Sequence, residues 1–598
     1  MPKAHQKKNK SRSKKVPVKN GKGLDVFSKY WNEENLTGKT FLFLPFILAI
    51  YSLFSCFAKN YMNSYCGFFG LSLLLLFIYE SPRIQKNGFG SRVELCLLAC
   101  LTAVGTALLM HYVQFCDTRC FASDEWDYMA QALVIKAEHH IQTHAYHWNS
   151  VVSMGLPLAN PHMPGNTLLI ALSYWLFGVS EESSVFMSKF LYVLIPALLF
   201  FLGKRIGGVR IGVAAVLLFL SFPYFTFYAN TAMADIPYCF FFLLMLLILF
   251  HAQEWGWKSL VLLSLAVIAN LLVRESNIVY LPILLLVLFF KAPRGKKTAT
   301  LFKFLILFGL MAILIMYPLS LRRESFTVAS LWSLQNLLSN TEIQDIKNNL
   351  VFNINLLKDN RLPILGWMRA SFAIVFLIPL LMIPKKMELQ KKLFYFSGYL
   401  FLISLFIVTM LFYYSGEWVG LHVMMIVPIP FFILCSLTLL DKGLPVYHQV
   451  VGGIVCVALA CFLFWVGNNA FLENRGYWIA DDHHINEQEQ MVDVLFKDPQ
   501  PRLGMATYFL SLPWRRYPTQ VIWTEPGSAE DFQKLDKAVN MDFLIIPFND
   551  GLLNVYKAPK DIDKPNAKID WVINGDFRYE GKYGIYYYFT KIKDKSVL

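Results

Sequence analysis

Long apolar runs, separated by short charged stretches, dominate the chain. Runs near the length needed to cross a bilayer as a helix fall at about 41–58, 62–79, 94–113, 184–203, 208–225, 235–252, 258–273, 276–290, 300–318, 367–384, 393–414, 419–440 and 446–466. The pattern predicts about thirteen transmembrane helices. The apolar stretch 166–178 is shorter and opens after Pro161 and Pro164, which predicts a re-entrant or interfacial helix. From Glu125 to Glu138, the residues Trp126, Met129, Leu133 and Ala137 recur at helical spacing, predicting a helix with one greasy face along the membrane surface. Past about residue 470 the pattern changes: 503–507, 521–524, 543–547 and 584–590 read as strands, and 485–497 and 528–539 as amphipathic helices. Turn residues such as Pro513, Pro526-Gly527 and Asp550-Gly551 punctuate them. The expected organisation is a basic disordered tail over 1–38, an α-helical polytopic domain over 39–469 with long loops at 114–183 and 319–366, and a small α/β extramembrane domain over 470–598.

Composition narrows the class. With 56% hydrophobic and 16% charged residues, and a mean hydropathy of +0.44, the chain is too apolar for an ordinary soluble enzyme. The net charge of +14 and the basic opening Lys3 to Lys22 fit a solvated tail beside a membrane domain better than a nucleic-acid partner. Lys and Arg gather in alternate loops: Arg83, Lys86 and Arg92; Lys204, Arg205 and Arg210; Lys291, Arg294, Lys296 and Lys297; Lys385, Lys386, Lys391 and Lys392. The positive-inside rule puts these loops and the N-terminus in the cytoplasm, with 114–183, 319–366 and the C-terminal region on the other side. The first apolar run begins only at Phe41, so no cleavable signal peptide is expected. Asn-x-Ser/Thr sites occur only at Asn9 and Asn35, cytoplasmic on this topology, which favours a bacterial inner membrane over the endoplasmic reticulum. Most of the ten cysteines sit within apolar segments as packing residues; Cys116 and Cys120, in an outer loop, could close a small disulfide.

Candidate chemistry lies in the outer loops. Ser123-Asp124-Glu125-Trp126-Asp127-Tyr128 concentrates three carboxylates, which at the mouth of a membrane-embedded cavity mark a functional site or a pairing. Ser123 or Asp124 can equally cap the following helix, and a capped carboxylate is also a fixed one, as a general base must be. Asp235 opens a span on the outer side, either as a helix-start acid or as part of a site. Arg274, with Arg322 and Arg323, can fork onto a lipid phosphate; alternatively Arg274 pairs with Glu275 or snorkels to the interface. His139, His140, His144, His147 and His162 crowd the first outer loop without a standard metal spacing, so a divalent metal stays open and no ligand set is assigned. No P-loop, GxSxG or dinucleotide fingerprint occurs in the C-terminal region. Composition alone would also suit a transporter or lipid flippase, but no internal repeat is evident and the charges collect in outer loops.

Asp124-Glu-Trp-Asp-Tyr128 resembles the Asp-Glu-x-x-Tyr signature in the first large outer loop of the GT-C membrane glycosyltransferases, nearest to the protein O-mannosyltransferase and lipid A aminoarabinose transferase group. Pro161-His-Met-Pro164, the turn Lys204-Arg-Ile-Gly-Gly-Val-Arg210 and Ala234-Asp235-Ile-Pro are similar to that group's proline motif, basic turn and second acidic position. The resemblance implies a GT-C fold and a definite reaction: inverting transfer of a sugar from a polyprenyl-phosphate donor to a glycan, lipid or protein acceptor at the outer face. It implies Asp124 as the base, with Glu125 and Asp235 in the same acidic site. Substrate contacts would come from Tyr128, His162, Arg274, Arg322, Arg323 and His422. The chain departs from the family at His162-Met163-Pro164-Gly165, where Pro-Pro-Leu is more usual, and at His422, frequently an arginine in relatives. Two spans precede the usual first helix.

Overall fold

The structure, a computed structural model, describes residues 92–113, 163–252, 255–274, 281–293, 295–325 and 445–473, the strands between 503 and 592, and single positions within 125–136, 278, 347–351, 433–440 and 490. The helices are α1 (Arg92–Val113), α2 (Pro164–Phe177), α3 (Glu181–Gly207), α4 (Val209–Leu220), α5 (Pro223–Ala229), α6 (Asp235–His251), α7 (Trp257–Val273), α8 (Leu281–Lys291), α9 (Lys297–Ser325) and α10 (Val446–Glu473). They coincide with the spans expected at 94–113, 184–203, 235–252, 258–273, 276–290, 300–318 and 446–466. The spans at 41–58, 62–79, 367–384 and 393–414, and most of 419–440, lie outside the described residues.

One expectation is corrected. The run 208–225 is not a single helix but α4 and α5, broken at Ser221-Phe222. Pro223 has no N–H to continue the α4 ladder and pushes Phe222 into an extended conformation, at φ −104° and ψ 94°. The same proline suits the first turn of α5, where no N–H is needed.

The helices pack as a bundle around α3, which touches α1, α2, α4, α5 and α6, while α7 lies between α6 and α9 and also meets α2. α3 begins with a capping box in which Ser180 and Ser183 bond each other's backbone N–H at 3.1 and 2.9 Å. It ends at Gly208, whose φ of 103° lets the chain reverse directly into α4. The reversal brings the two helices into backbone contact, since a Cβ on Gly203 would sit 2.7 Å from the Gly212 Cα. Aromatic residues fill the interior, including Tyr174, Tyr192, Tyr228, Tyr238, Phe200 and Phe219.

Outside that interior, whole helix faces are apolar and bare. On α9 these are Phe302, Leu305 and Ile306; on α10, Val446, Val450, Ile454, Val457 and Trp465. Contiguous apolar surface at i, i+3 and i+4 spacing is what a lipid-facing helix presents. The molecule is a multi-pass membrane protein.

Toward the C-terminus the strands β1 (Leu503–Met505), β2 (Val521–Trp523), β3 (Phe543–Pro547), β4 (Val572–Ile573), β5 (Phe577–Tyr583) and β6 (Tyr586–Lys591) form one sheet in the order β2-β1-β3-β6-β5-β4. β1 runs parallel to β2 and β3, and the remaining neighbours are antiparallel. Parallel neighbours require crossover connections; the helix expected at 528–539 lies outside the described residues, and of the one expected at 485–497 only Gln490 is described, in helical conformation.

Candidate functional site

The functional side chains converge where α2 and α6 begin and α7 ends. α2 starts at Pro164, with Met163 extended at φ −69° and ψ 146°. At 14 residues it is about 21 Å long, short of the roughly 30 Å hydrocarbon core. Its N-terminal part, Pro164 to Ala171, is buried, while Trp175, Leu176 and Phe177 at the other end are exposed. Pressing that buried end onto α7 requires Gly165: a Cβ there would lie 2.6 Å from Leu272 O and 2.8 Å from Val273 N. This is a physical reason for the glycine in Pro164-Gly165, the point at which the chain departs from Pro-Pro-Leu.

Between α5 and α6 the chain turns irregularly through residues 230–234, all buried. Irregular backbone inside a membrane protein must have its polar groups satisfied by protein. The turn does so in part by itself: Asn230 N and Thr231 N donate to Phe227 O and Tyr228 O at 2.8 and 3.2 Å, and Thr231 Oγ1 donates to Tyr228 O at 2.8 Å. The peptide groups of Ala232 are held from two other segments. Glu125 Oε1 accepts from Ala232 N at 2.5 Å, and Asn166 Nδ2 donates to Ala232 O at 2.8 Å. Thr167 Oγ1 donates to Gln131 Oε1 at 2.9 Å, tying α2 to the segment that carries Glu125. One residue of the turn is thus gripped on both sides.

That segment is helical at each described position from 125 to 136. Glu125, Tyr128, Met129, Gln131, Ala132 and Ile135 are buried. Trp126, Leu133 and Ala137, expected to form its greasy face with Met129, lie outside the described residues. The observed buried face carries two polar side chains, each with a partner in the protein.

Three residues beyond Ala232, Asp235 opens α6, and Arg274 caps the end of α7, donating its backbone N–H to Asn270 O at 3.0 Å. The helices run antiparallel, so the positive end of one meets the negative end of the other. Each end carries the complementary charge. Arg274 Nη1 donates to Asp235 Oδ1 at 3.2 Å, and the guanidinium lies 5.6 Å from the Tyr238 ring centre, within cation–π range. The two partners differ in access: the Asp235 side chain is 1% exposed and that of Arg274 20%. A sealed carboxylate therefore holds an arginine whose side chain stays partly exposed.

Of the residues singled out in the sequence, the structure brings together Glu125, Asp235 and Arg274, with Tyr128 buried one turn beyond Glu125. Arg274 pairs across the bundle with Asp235; its other suggested partner, Glu275, lies outside the described residues. Arg322 and Arg323 fall in the last turns of α9. α9 begins beside α7, with Lys303 over the Trp257 ring, and extends the same way, which carries both arginines toward the Arg274 end. Asp124, His162, His422, the other loop histidines, Cys116 and Cys120 lie outside the described residues. Among the described residues no cluster of His, Cys, Asp or Glu could hold a metal ion. Periodicity missed Asn166, Thr167, Gln131 and Tyr238. The visible trace was two polar residues at the start of an apolar run.

Residues 161–320 match the family described as dolichyl-phosphate-mannose-protein mannosyltransferase, a stretch that holds Asn166, Ala232, Asp235 and Arg274 and stops short of Glu125. No curated protein matches the chain. Among solved structures, ArnT from Cupriavidus metallidurans bound to undecaprenyl phosphate is similar with a TM-score of 0.52 and 11% identity, over 83% of this chain and 98% of that one. The apo oligosaccharyltransferase of Archaeoglobus fulgidus is similar with a TM-score of 0.48 and 11% identity, over 77% of this chain and 70% of its own. At such identities the likeness concerns fold, and the ArnT match carries it.

Proposed function

We propose that this chain, a membrane glycosyltransferase with a GT-C fold, transfers a sugar with inversion from a polyprenyl-phosphate donor to an acceptor at the outer face of a bacterial inner membrane. The observation that carries the reading is the Asp235–Arg274 pair, with its carboxylate buried and its arginine side chain partly exposed, at the point where Glu125 and Asn166 fix the preceding turn. A guanidinium held this way is suited to a phosphate leaving group, because it binds phosphate oxygens in a fixed fork and offsets the charge that develops as the bond breaks. The similar ArnT structure contains undecaprenyl phosphate, which supports a lipid phosphate of that class here.

In this scheme Asp124 takes the proton of the acceptor hydroxyl. The oxygen attacks the anomeric carbon from the face opposite the phosphate, and the carbon–oxygen bond to phosphate breaks, with the electron pair leaving on the polyprenyl phosphate. One base suffices for one inverting displacement. Asp235 orients Arg274 rather than reacting, and Glu125 positions the turn through Ala232. Tyr128, His162, Arg322, Arg323 and His422 are assigned to substrate contacts, with a glycan, lipid or protein as acceptor and a divalent metal left open.

The test is Asp124→Asn, assayed with purified protein and a radiolabelled polyprenyl-phosphate sugar in the absence of any gradient. Transfer is expected to fall at least a hundredfold, in the range typical of a lost general base, while donor-lipid binding and melting temperature are retained. Undiminished transfer by this variant would remove the proposed base.

A further inference from the structure

The end of the bundle opposite Asp235 gathers cations, and among the described residues no carboxylate pairs with them. Lys291, the last residue of α8, donates from Nζ to Leu249 O at 2.5 Å and lies 5.0 Å from the Phe250 ring centre and 5.8 Å from that of Trp255. Arg205, in the last turn of α3, donates from Nε to the next carbonyl, Phe250 O, at 3.4 Å. Lys297 sits 4.8 Å over the Phe289 ring and Lys303 4.8 Å over that of Trp257. Among the described residues none of these four cations forms an ion pair with a carboxylate.

Capping the α6 carbonyls explains part of this arrangement and leaves a remainder. A helix C-terminus presents about half a negative charge, less than the cationic groups of Arg205 and Lys291 that converge on Leu249 and Phe250. Among the described residues part of that positive charge stays uncompensated before Lys297 and Lys303 are counted. Beside Lys291, Trp255 is buried, and its indole N–H has no acceptor among the described residues. Buried donors nearly always have a partner. Surplus positive charge around an unfilled donor calls for an anion with several acceptor oxygens. The surroundings say what kind, because exposed Phe290 and Phe302 continue from the charged cluster along α8 and α9. A free phosphate has no use for that apolar surface, whereas acyl chains do.

We infer that the phosphate group of an anionic membrane lipid binds among Arg205, Lys291 and Trp255, at the end of the bundle that the charge pattern assigns to the cytoplasm. Basic pockets between transmembrane helices on that side suit such headgroups. The 17 residues of α6 put about 25 Å between this site and Asp235, so it is distinct from the donor site.

The test is the melting temperature of the full chain in detergent micelles titrated with phosphatidylglycerol, phosphatidylcholine or inorganic phosphate. A saturable rise is expected with phosphatidylglycerol alone. Arg205→Gln should weaken the apparent affinity about fivefold. Trp255→Phe keeps the ring and removes only the unfilled donor. It should weaken phosphatidylglycerol binding severalfold and leave the melt in phosphatidylcholine unchanged, which a purely structural indole would not do. Equal stabilisation by phosphatidylcholine or inorganic phosphate, or an undiminished phosphatidylglycerol response in both variants, would overturn the inference.

Discussion

Replacing Arg274 by Gln tests the pair at the centre of the site. At 3.2 Å and an effective dielectric of about 20, the two charges attract by roughly 5 kcal/mol, much of which desolvation takes back. Removing one member of a buried pair typically costs about 3–5 kcal/mol, because the other charge is left behind. The unequal exposure sets an order. Arg274→Gln removes the ion-pair partner of a carboxylate whose side chain is 1% exposed, whereas Asp235→Asn leaves an arginine whose side chain is already 20% exposed. The first should cost about 3 kcal/mol and the second about half of that. The double variant, in which both groups are neutral and can still hydrogen-bond, should melt above Arg274→Gln alone. Thermal melts of all four proteins in one detergent, arranged as a double-mutant cycle, read the coupling directly. If Arg274→Gln melts with the wild type, or the two losses simply add in the double variant, the pair is not coupled and its role in the site fails.

Further outcomes follow from the same geometry. Gly165→Ala would stabilise an ordinary helix by about 1 kcal/mol, but here its Cβ would meet the α7 backbone, and a loss of about 1–3 kcal/mol is expected in the same melts. Glu125→Gln keeps an oxygen for Ala232 N, so it should fold normally and retain most transfer activity; a loss as deep as that of Asp124→Asn would make Glu125 a reacting group. Asn166→Ala leaves Ala232 O without that side-chain donor and should cost about 1–3 kcal/mol by melting, with a lower kcat from a loosened turn. Gly208→Ala, at a φ of 103°, should cost about 1–3 kcal/mol by melting without altering donor affinity.

Hydropathy made the spans legible because lipid penalises every polar residue in a long run, and this pattern survives without knowledge of the partners. The short α2 was equally plain, since length and Pro164 both argue against a crossing. The break at Pro223 was written in the sequence but masked by flanking apolar residues that satisfy either one helix or two. β5 escaped notice for the opposite reason. Arg578, Glu580 and Lys582 give Phe577–Tyr583 the look of a polar loop, yet Arg578 and Glu580 pair with each other at 2.8 Å, and Gly581 lies at a register shift against β6. In the site, Asp235 and Arg274 stood out as charges at span ends, but nothing in their spacing revealed that they face each other. The grip on Ala232 was illegible in principle: what Glu125 and Asn166 hold are its backbone N–H and C=O, which carry no sequence signature.

The order of synthesis gives the two halves of that site different histories. Glu125 and Asn166 precede Ala232 in the chain, so the groups that quiet its peptide already exist when the turn is made. Arg274 comes later, two whole helices downstream of Asp235. Until α7 is inserted, the Asp235 carboxylate lacks the guanidinium that pairs with it in the finished bundle. Completion of α7 is thus the event that supplies the ion-pair partner and joins the two helix ends at the mouth of the bundle.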